Sequence, residues 1–564
     1  MEQILKPIKE TSRPARYRTH LYWTRKPPDL AARFVEAYTT PGEKILDPFC
    51  GSGVIPIEAA RLGRVGIGFD IDPVGLFIGR MTALRTDLSR VKDFFKLFLR
   101  KIRLQVMSLY RTSCPLCSSP DIFARVAVWL CEDSFPLEIR GNCPSCGDFS
   151  KQPDKKDQAI LRDLQKKPLS PSIPSNSLKY KNGTPFLKAE GHCSIKDLYT
   201  HRNLLALGII LEQIKSIPEK NDRDILLFAF SSITHLASRL TPDRKSRPYS
   251  SHWGRPSYWV PQRSQERNVF ELLSNALLGR QGVLKGLKDS EENLKDIIAI
   301  SSLAEAKYGS LLLKEASALQ LSKVLPPSSI DLVITDPPYG GSIQHFELNS
   351  LWAAWLGFER DSSDEVIINP RQNKSQTIFG KMLQTAFEEI FAVLKPGKKM
   401  ILTFHSTDLR VWALLVQGAV AAGFSLDHLF HQPPRRISFK ALAQPLNAAV
   451  GDYVFQFSRQ VGVGRPGIPV NRVKDSFPEF IREKAIKTIH TLGRPCTFTE
   501  LLTRIYPEII RSDLLFSNDL DNLQSVLKQW LGNGLWLVKG IDSIGKKETD
   551  LWWVEEESPL FERN

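Results

Sequence analysis

The sequence predicts an α/β fold, an open and mostly parallel sheet that is split by a long insertion and followed by a small C-terminal α/β module. Three observations predict it. Residues 328–341, SSIDLVITDPPYGG, place a short β-branched apolar run before two prolines, the pattern of a strand covered on both faces and stopped where no ladder donor remains. Residues 44–73, KILDPFCGSGVIPIEAARLGRVGIGFDIDP, run strand, glycine turn, helix, strand and acid, the pattern of a βαβ unit. Between these stretches lie more than 200 residues, too many for a plain connection.

Composition narrows the class. A chain of 564 residues with 42% apolar residues can build several ordinary cores. A net charge of +15 and a pI near 9.3 favour an anionic partner, because phosphates attract Lys and Arg through counterion release. No apolar run reaches the span of a bilayer, the longest candidate being 411–424, and MEQILKPIKE lacks the core of an export signal. A cytoplasmic protein with no membrane partner is expected. Eight cysteines in so long a chain do not make a disulfide scaffold, and four of them fall into two C-x-x-C pairs.

Taken in order, Pro28 and Asp29 suit a helix start, with Leu30, Phe34, Val35 and Tyr38 as its buried stripe. Pro41-Gly42 turns the chain into the first strand. Gly51 and Gly53 permit a tight turn and a close backbone approach to a ligand. A helix over 54–62 follows and stops at Gly63, and Asp70 ends the next strand, placed for the hydroxyls of a ribose. The G-x-G-x-x-G spacing of dinucleotide sites is absent. Cys50 has no His nearby in sequence and reads as a small packing residue. Asp72 shares the direction of Asp70 only while the strand continues, which Pro73 opposes.

The insertion carries CPLC at Cys114 and Cys117 and CPSCG at Cys143 and Cys146, with ARVAVWL and FPLEIRG between them as hairpin strands. Two such knuckles suit one tetrahedral zinc site, and four thiolates leave no open position for water, so the metal is expected to be structural. Cys131, Cys193 and Cys496 read as packing residues. Residues 152–183, rich in Lys, Pro and Ser, read as an exposed loop. Two helices follow, over DLYTHRNLLALGIILEQIKSI and RDILLFAFSSITHLASRL. The stretch 241–270 then interleaves Arg and Lys with Tyr249, Trp253, Tyr258 and Trp259, a composition that suits phosphate contacts and base stacking as well as simple packing.

The sheet resumes at Tyr308 with a strand over 310–313. Asp336 and Tyr339 are presented at the carboxyl edge of the strand before Pro337 and Pro338, where open α/β sheets bind ligands. An acceptor carboxylate, the Pro337 carbonyl and an aromatic ring suit an exocyclic amino group: two acceptors for its N–H bonds and a face for its base. Trp352 and Trp355 lie at helical spacing and read as packing, and His405 as a structural histidine. A fifth strand over 394–406 and a last strand over 451–457 close the sheet. Residues 460–475 read as a linker, and the tail over 476–564 as three helices with a terminal hairpin, a winged-helix-like module.

With the motifs at 44–73 and 336–339 in hand, the chain resembles the S-adenosylmethionine-dependent amino-methyltransferases of nucleic acids, the DPPY group that methylates adenine N6 or cytosine N4 in DNA. The resemblance covers about 21–80 and 308–457. It implies a Rossmann-like methyltransferase sheet with the core in two halves, 1–85 and 306–459, around an insertion at 86–305 whose zinc ribbon spans about 110–150. It implies cofactor contacts from Asp47, Phe49, Gly51, Gly53 and Asp70, from Thr24 and Lys26 near the methionine end, and from Glu315 or Ser317 at the adenine. It implies that Asp336, Pro337, Pro338 and Tyr339 hold a flipped base, with Phe346 as a second stacking candidate, and that methyl transfer is direct. Double-stranded DNA is the implied partner, adenine N6 the implied target, and a restriction or defence protein a further implied partner. Guanine-N2 methyltransferases of tRNA and rRNA carry similar turns, though with a separate N-terminal RNA-binding domain for which the 20 residues ahead of this core leave little room. A protein that keeps the fold without turnover is the alternative of another class, opposed by the intact acidic, glycine and aromatic positions of both turns.

Overall fold

The computed structural model describes residues 12–554 apart from 121, 132–133, 190–193, 245–252, 254, 407, 434–450, 461–475, 511, 513–522 and 542–547. Cys193, Tyr249 and nearly all of the expected linker lie outside the described residues.

Strands β1 (Lys44–Asp47) and β2 (Val65–Asp70) flank the helix Val54–Arg61. The insertion then supplies β3 (Arg111–Thr112), β4 (Ile122–Leu130), β5 (Glu138–Cys143), β6 (Gly147–Lys151) and β7 (Arg263–Arg267), which make a separate antiparallel sheet in which β4 lies between β5 and β7. The main sheet resumes with β8 (Ile298–Ala299), β9 (Ser310–Glu315), β10 (Ile330–Thr335), β11 (Leu394–Phe404), β12 (Ser425–Gln432) and β13 (Asp452–Ser458). A hairpin of β14 (Trp536–Ile541) and β15 (Glu548–Trp553) comes last.

The main sheet has the order β12-β13-β11-β10-β1-β2-β9-β8. Strands β8 to β11 are parallel, and β13 runs against both of its neighbours. From β1 the chain winds outward through β2 and β9; from β10 it winds outward the other way through β11. The order therefore reverses between β1 and β10, and the turns after these two parallel neighbours must leave the sheet at the same rim. Alternation within the strands divides the helices: Ile45, Leu332, Ile334 and Ile401 pack with Leu30, Phe34 and Ile55 on one face, while Leu46, Val333, Met400 and Leu402 pack with Phe379, Phe387 and Trp412 on the other.

A second core fills the insertion. It gathers the helices Leu88–Met107, His201–Lys215, Lys220–Ala237 and Val269–Leu278 around Trp352 and Trp355 of the helix His345–Leu356, so the two tryptophans serve packing. The exposed loop expected over 152–183 is in part a helix, Lys155–Gln165. Asp154 and Asp157 form a capping box there, and Leu161 and Leu164 are buried on one face, an amphipathic signal hidden among the lysines. At the C-terminus the helices Phe477–Leu492, Phe498–Ile510 and Leu523–Lys528 pack with the hairpin. They join the core of the main sheet, where the hydroxyl of Tyr453 donates to the Thr503 carbonyl at 3.0 Å and Tyr506 lies 6.1 Å from Trp412.

Candidate active site

The glycine turn is held by two acids. Asp47, at the end of β1 and 2% exposed, accepts from the Phe49 amide at 3.1 Å and from the Thr335 hydroxyl at 2.9 Å, which ties the turn to the last residue of β10. Burial pushes its carboxyl well above the usual range. Asp70, at the end of β2, accepts from the Gly51 amide at 2.7 Å and from the Asp72 amide at 2.9 Å. Burial, with the neighbouring charge of Asp72 adding to it, raises Asp70 to about 7. Asp72 itself caps the helix Pro73–Ala83 and pairs with Arg360 at 2.7 Å. Gly51 has φ +50°, and a Cβ there would lie 2.8 Å from the ring of Tyr22. Only glycine reconciles that backbone with that neighbour.

The Asp-Pro-Pro-Tyr turn is organised around one oxygen. Asp336 Oδ1 accepts from the Tyr339 hydroxyl at 2.5 Å and from the Thr403 hydroxyl at 2.8 Å, and it lies 3.1 Å from the ammonium of Lys26. Lys26 also contacts the Tyr339 hydroxyl and reaches Asp452 Oδ2 at 2.6 Å. Burial opposes the charge of Lys26, but Asp336 and Asp452 outweigh it and hold the lysine above its ordinary value. Burial raises Asp336, and the coulombic pull of Lys26 opposes the rise without cancelling it. One ammonium group is thus held by two carboxylates and a phenol at the end of β10.

Both turns line one cavity. Thr24, Lys26, Asp47, Phe49, Gly51, Asp70, Asp336, Pro337, Pro338 and Tyr339 are all on its wall, and Phe346 is there too, under the guanidinium of Arg360 at 4.1 Å. Gly53 lies just behind, at φ +74°, as the N-cap of the helix Val54–Arg61. Ser317 is not on the wall: its hydroxyl accepts from the Leu319 amide, and Ala318 faces the cavity in its place. Sequence reasoning missed Tyr22, Arg25, His345, Thr403 and Asp452. Arg25 donates to Ser52 at 3.0 Å, and Tyr22 stacks on His345 at 5.8 Å. Arg25 adjoined a recognisable Lys-Pro pair and could have been found; Asp452 had no local signal, since only the antiparallel pairing of β13 brings it in.

The wall fits S-adenosylmethionine in its chemistry. An acid at the end of β2 suits ribose hydroxyls, glycines without side chains leave backbone within reach, and Phe49, Ile71 and Ala318 offer apolar surface for a base. Elsewhere, the Sγ atoms of Cys114, Cys117, Cys143 and Cys146 all lie within 4.8 Å of one another, with Cys117 and Cys143 at 3.7 Å. Four thiolates at a Zn–S distance of about 2.3 Å would stand about 3.8 Å apart, so this donor set fits a tetrahedral zinc ion. Cys131 is exposed and apart from the cluster.

Within the basic and aromatic stretch, two of the rings are part of the core. Trp253 and Tyr258 are buried; the Tyr258 hydroxyl lies 2.5 Å from the Glu347 carbonyl, and the Trp253 indole donates to Ser257. Both rings pin the stretch to the helix His345–Leu356, which is what burying a ring with a satisfied polar tip achieves. Arg255 lies 4.2 Å over Trp259, which is half-buried. Among the described residues no helix is long and apolar enough to cross a membrane.

Comparison with known proteins places the cofactor half. The family model described as DNA methylase, N6/N4 type, matches residues 3–75. The Type II methyltransferase M2.DpnII of Streptococcus pneumoniae is 47% identical over 57 residues, 10% of this chain and 21% of that protein. The Type II methyltransferase M.MjaII of Methanocaldococcus jannaschii is 29% identical over 84 residues, 15% of this chain and 16% of that one. The ribosomal protein L11 methyltransferase of Oceanobacillus iheyensis is 34% identical over 68 residues, 12% of this chain and 21% of that one. The chain thus spans about a fifth of the length of the curated relatives it matches. Among solved structures, a SAM-dependent methyltransferase of Methanosarcina mazei is 12% identical and aligns over 32% of this chain and 79% of its own, with a TM-score of 0.17. The antibiotic-resistance methyltransferase Kmr is 13% identical over 28% of this chain and 63% of its own, with a TM-score of 0.16. The matched residues 3–75 contain the whole glycine turn and Asp70, so the likeness to the N6/N4 DNA methylases rests on the first βαβ unit.

Proposed function

We propose that this chain methylates an exocyclic amino group of a DNA base, adenine N6, using S-adenosylmethionine. The observation that carries the reading is the occupancy of Asp336 Oδ1 by the Lys26 ammonium and two hydroxyl donors at the rim that also holds the glycine turn. Bound against that turn, S-adenosylmethionine supplies an electrophilic methyl group.

The residues of the chain then have separable tasks. Asp70 takes the ribose hydroxyls while the Gly51 amide keeps its carboxylate in place. Asp336 and the Pro337 carbonyl accept the two N–H bonds of the target amine and stabilise the positive charge that develops on its nitrogen. Thr403 and Lys26 fix the Asp336 carboxylate, so that no reorganisation is needed when charge appears. Tyr339 presents its ring to the base, and Phe346 is within the same cavity. A base stacked in a duplex cannot reach a cavity of this kind, so the target nucleotide is extruded. The four-cysteine hairpins over 111–151 act as a zinc ribbon that stiffens the insertion, and the three helices with the terminal hairpin act as a winged-helix-like module.

The test is transfer of labelled methyl to plasmid DNA and to tRNA by the wild type and by Asp336→Ala. Label in DNA that the variant loses supports the reading. Label in tRNA alone transfers the function to the RNA enzymes with similar turns.

A further inference from the structure

Beside the cavity between the turns lies a second, open cleft of about 650 Å3. The N-terminal segment and the helices Lys220–Ala237 and Val269–Leu278 enclose it, and it shares Tyr22 and Arg25 with the first cavity. Its charge is one-sided. Arg13, Arg18, Arg25, Arg267 and Arg280 line it, and among the described residues no Asp or Glu does. Glu271 offsets part of the charge of Arg267 from outside the lining.

The cluster is built rather than incidental. Arg13 donates to the Arg25 carbonyl at 3.0 Å, Arg18 to the Arg13 carbonyl at 2.6 Å, and Arg25 to the Ser52 hydroxyl at 3.0 Å, so main-chain and hydroxyl oxygens orient the guanidiniums. His235 also lines the cleft, is 5% exposed, and has a buried Nδ1 with no hydrogen-bond partner among the described residues.

We propose that this arginine cleft holds the phosphodiester backbone of the nucleic acid whose base enters the cavity between the two turns. The inference rests on the methyltransferase reading given above. Guanidinium forks match phosphate oxygens in pairs, and a lining without carboxylates has nothing to repel them. Arg13, Arg18 and Arg280 are exposed, whereas Arg25 is half-buried beside the glycine turn, so the positive lining leads from solvent toward the reaction cavity. That path suits a strand that continues on both sides of an extruded nucleotide. It suits a free nucleotide less, because an open end adds nothing for so small a ligand.

The test uses the full chain and the variants Arg18→Gln and Arg280→Gln, whose side chains are exposed. Anisotropy of a short labelled duplex, in a series of salt concentrations, gives affinity and its salt slope. Each variant should bind several-fold more weakly whatever the sequence, with the slope reduced by about 1, because each removes one phosphate contact. Affinity for S-adenosylmethionine, measured by calorimetry, should stay at the wild-type value and serves as the check on folding. Unchanged duplex affinity and slope in both variants, with transfer activity intact, would overturn the cleft but leave the methyltransferase reading standing. Tight ATP binding that Arg280→Gln abolishes, with duplex binding unaltered, would overturn it in favour of a free nucleotide. A wild type that binds neither DNA nor RNA would overturn both.

Discussion

The ammonium of Lys26 lies 3.1 Å from Asp336 and 2.6 Å from Asp452, so one cation joins the turn after β10 to the first residue of β13. The three side chains are 11%, 15% and 28% exposed. Their attraction is therefore little screened by solvent, while their desolvation is already suffered in the fold. Removing the cation alone leaves two carboxylates facing each other.

Lys26→Met is accordingly expected to cost about 3 kcal/mol, the scale of breaking a buried pair from one side. Thermal unfolding should show a clearly lowered transition, and adding Asp336→Asn should restore a large part of it. A single variant that melts with the wild type would show that the pair is solvated.

Asp70 gives a pH dependence with a definite sign. Its folded value is raised to about 7, so the folded protein holds a proton there that the unfolded chain releases near its ordinary carboxylate value. The contribution of this group to stability is present below the unfolded value and is lost as pH rises through 7. In the role proposed for Asp70, ribose hydroxyls would donate to the ionised form, so the proton would compete with the cofactor. Affinity for S-adenosylmethionine should weaken toward tenfold per pH unit below about 7 and level off above it. Asp70→Asn should bind weakly and without that inflection in a calorimetric series.

Gly51→Ala combines a left-handed backbone with a Cβ placed against Tyr22. The conformation alone costs about 1 kcal/mol for a residue with a side chain, before any clash. The variant should lose cofactor affinity more than stability, and Tyr22→Ala in the same chain should recover part of the affinity by removing the ring.

For the cysteine cluster, purified protein should carry one zinc per chain by elemental analysis. Cys143→Ser should lose the metal and open residues 111–151 to limited proteolysis, because a structural site joins folding to metal binding. A wild type with four intact thiols and no metal would remove the zinc ribbon.

The parts of the site that could be read in the sequence are those where chemistry and punctuation are local. Gly51 and Asp70 sit in one βαβ unit, and Pro337 stops a strand next to the carboxylate it presents, so spacing alone locates them. Asp452 and Thr403 arrive through the pairing of β13 with β11 and of β11 with β10, and nothing near either residue announces that register. Trp253 and Tyr258 illustrate the reverse failure. An aromatic residue among arginines has the same composition whether it stacks on a base or on its own core, and only burial tells the two apart. The helix Lys155–Gln165 was masked by its lysines, since its apolar stripe is narrow.

In the proposed reaction Asp336, fixed by Lys26 and Thr403, accepts a base amine beside them. The measurement that meets it most directly is mass spectrometry of nucleosides released from DNA and RNA after incubation with the full chain and S-adenosylmethionine. N6-methyladenine should appear in the DNA, dependent on Asp336 and absent with Asp336→Ala. A methylated guanine in RNA, or methyladenine formed equally well by the variant, would contradict it.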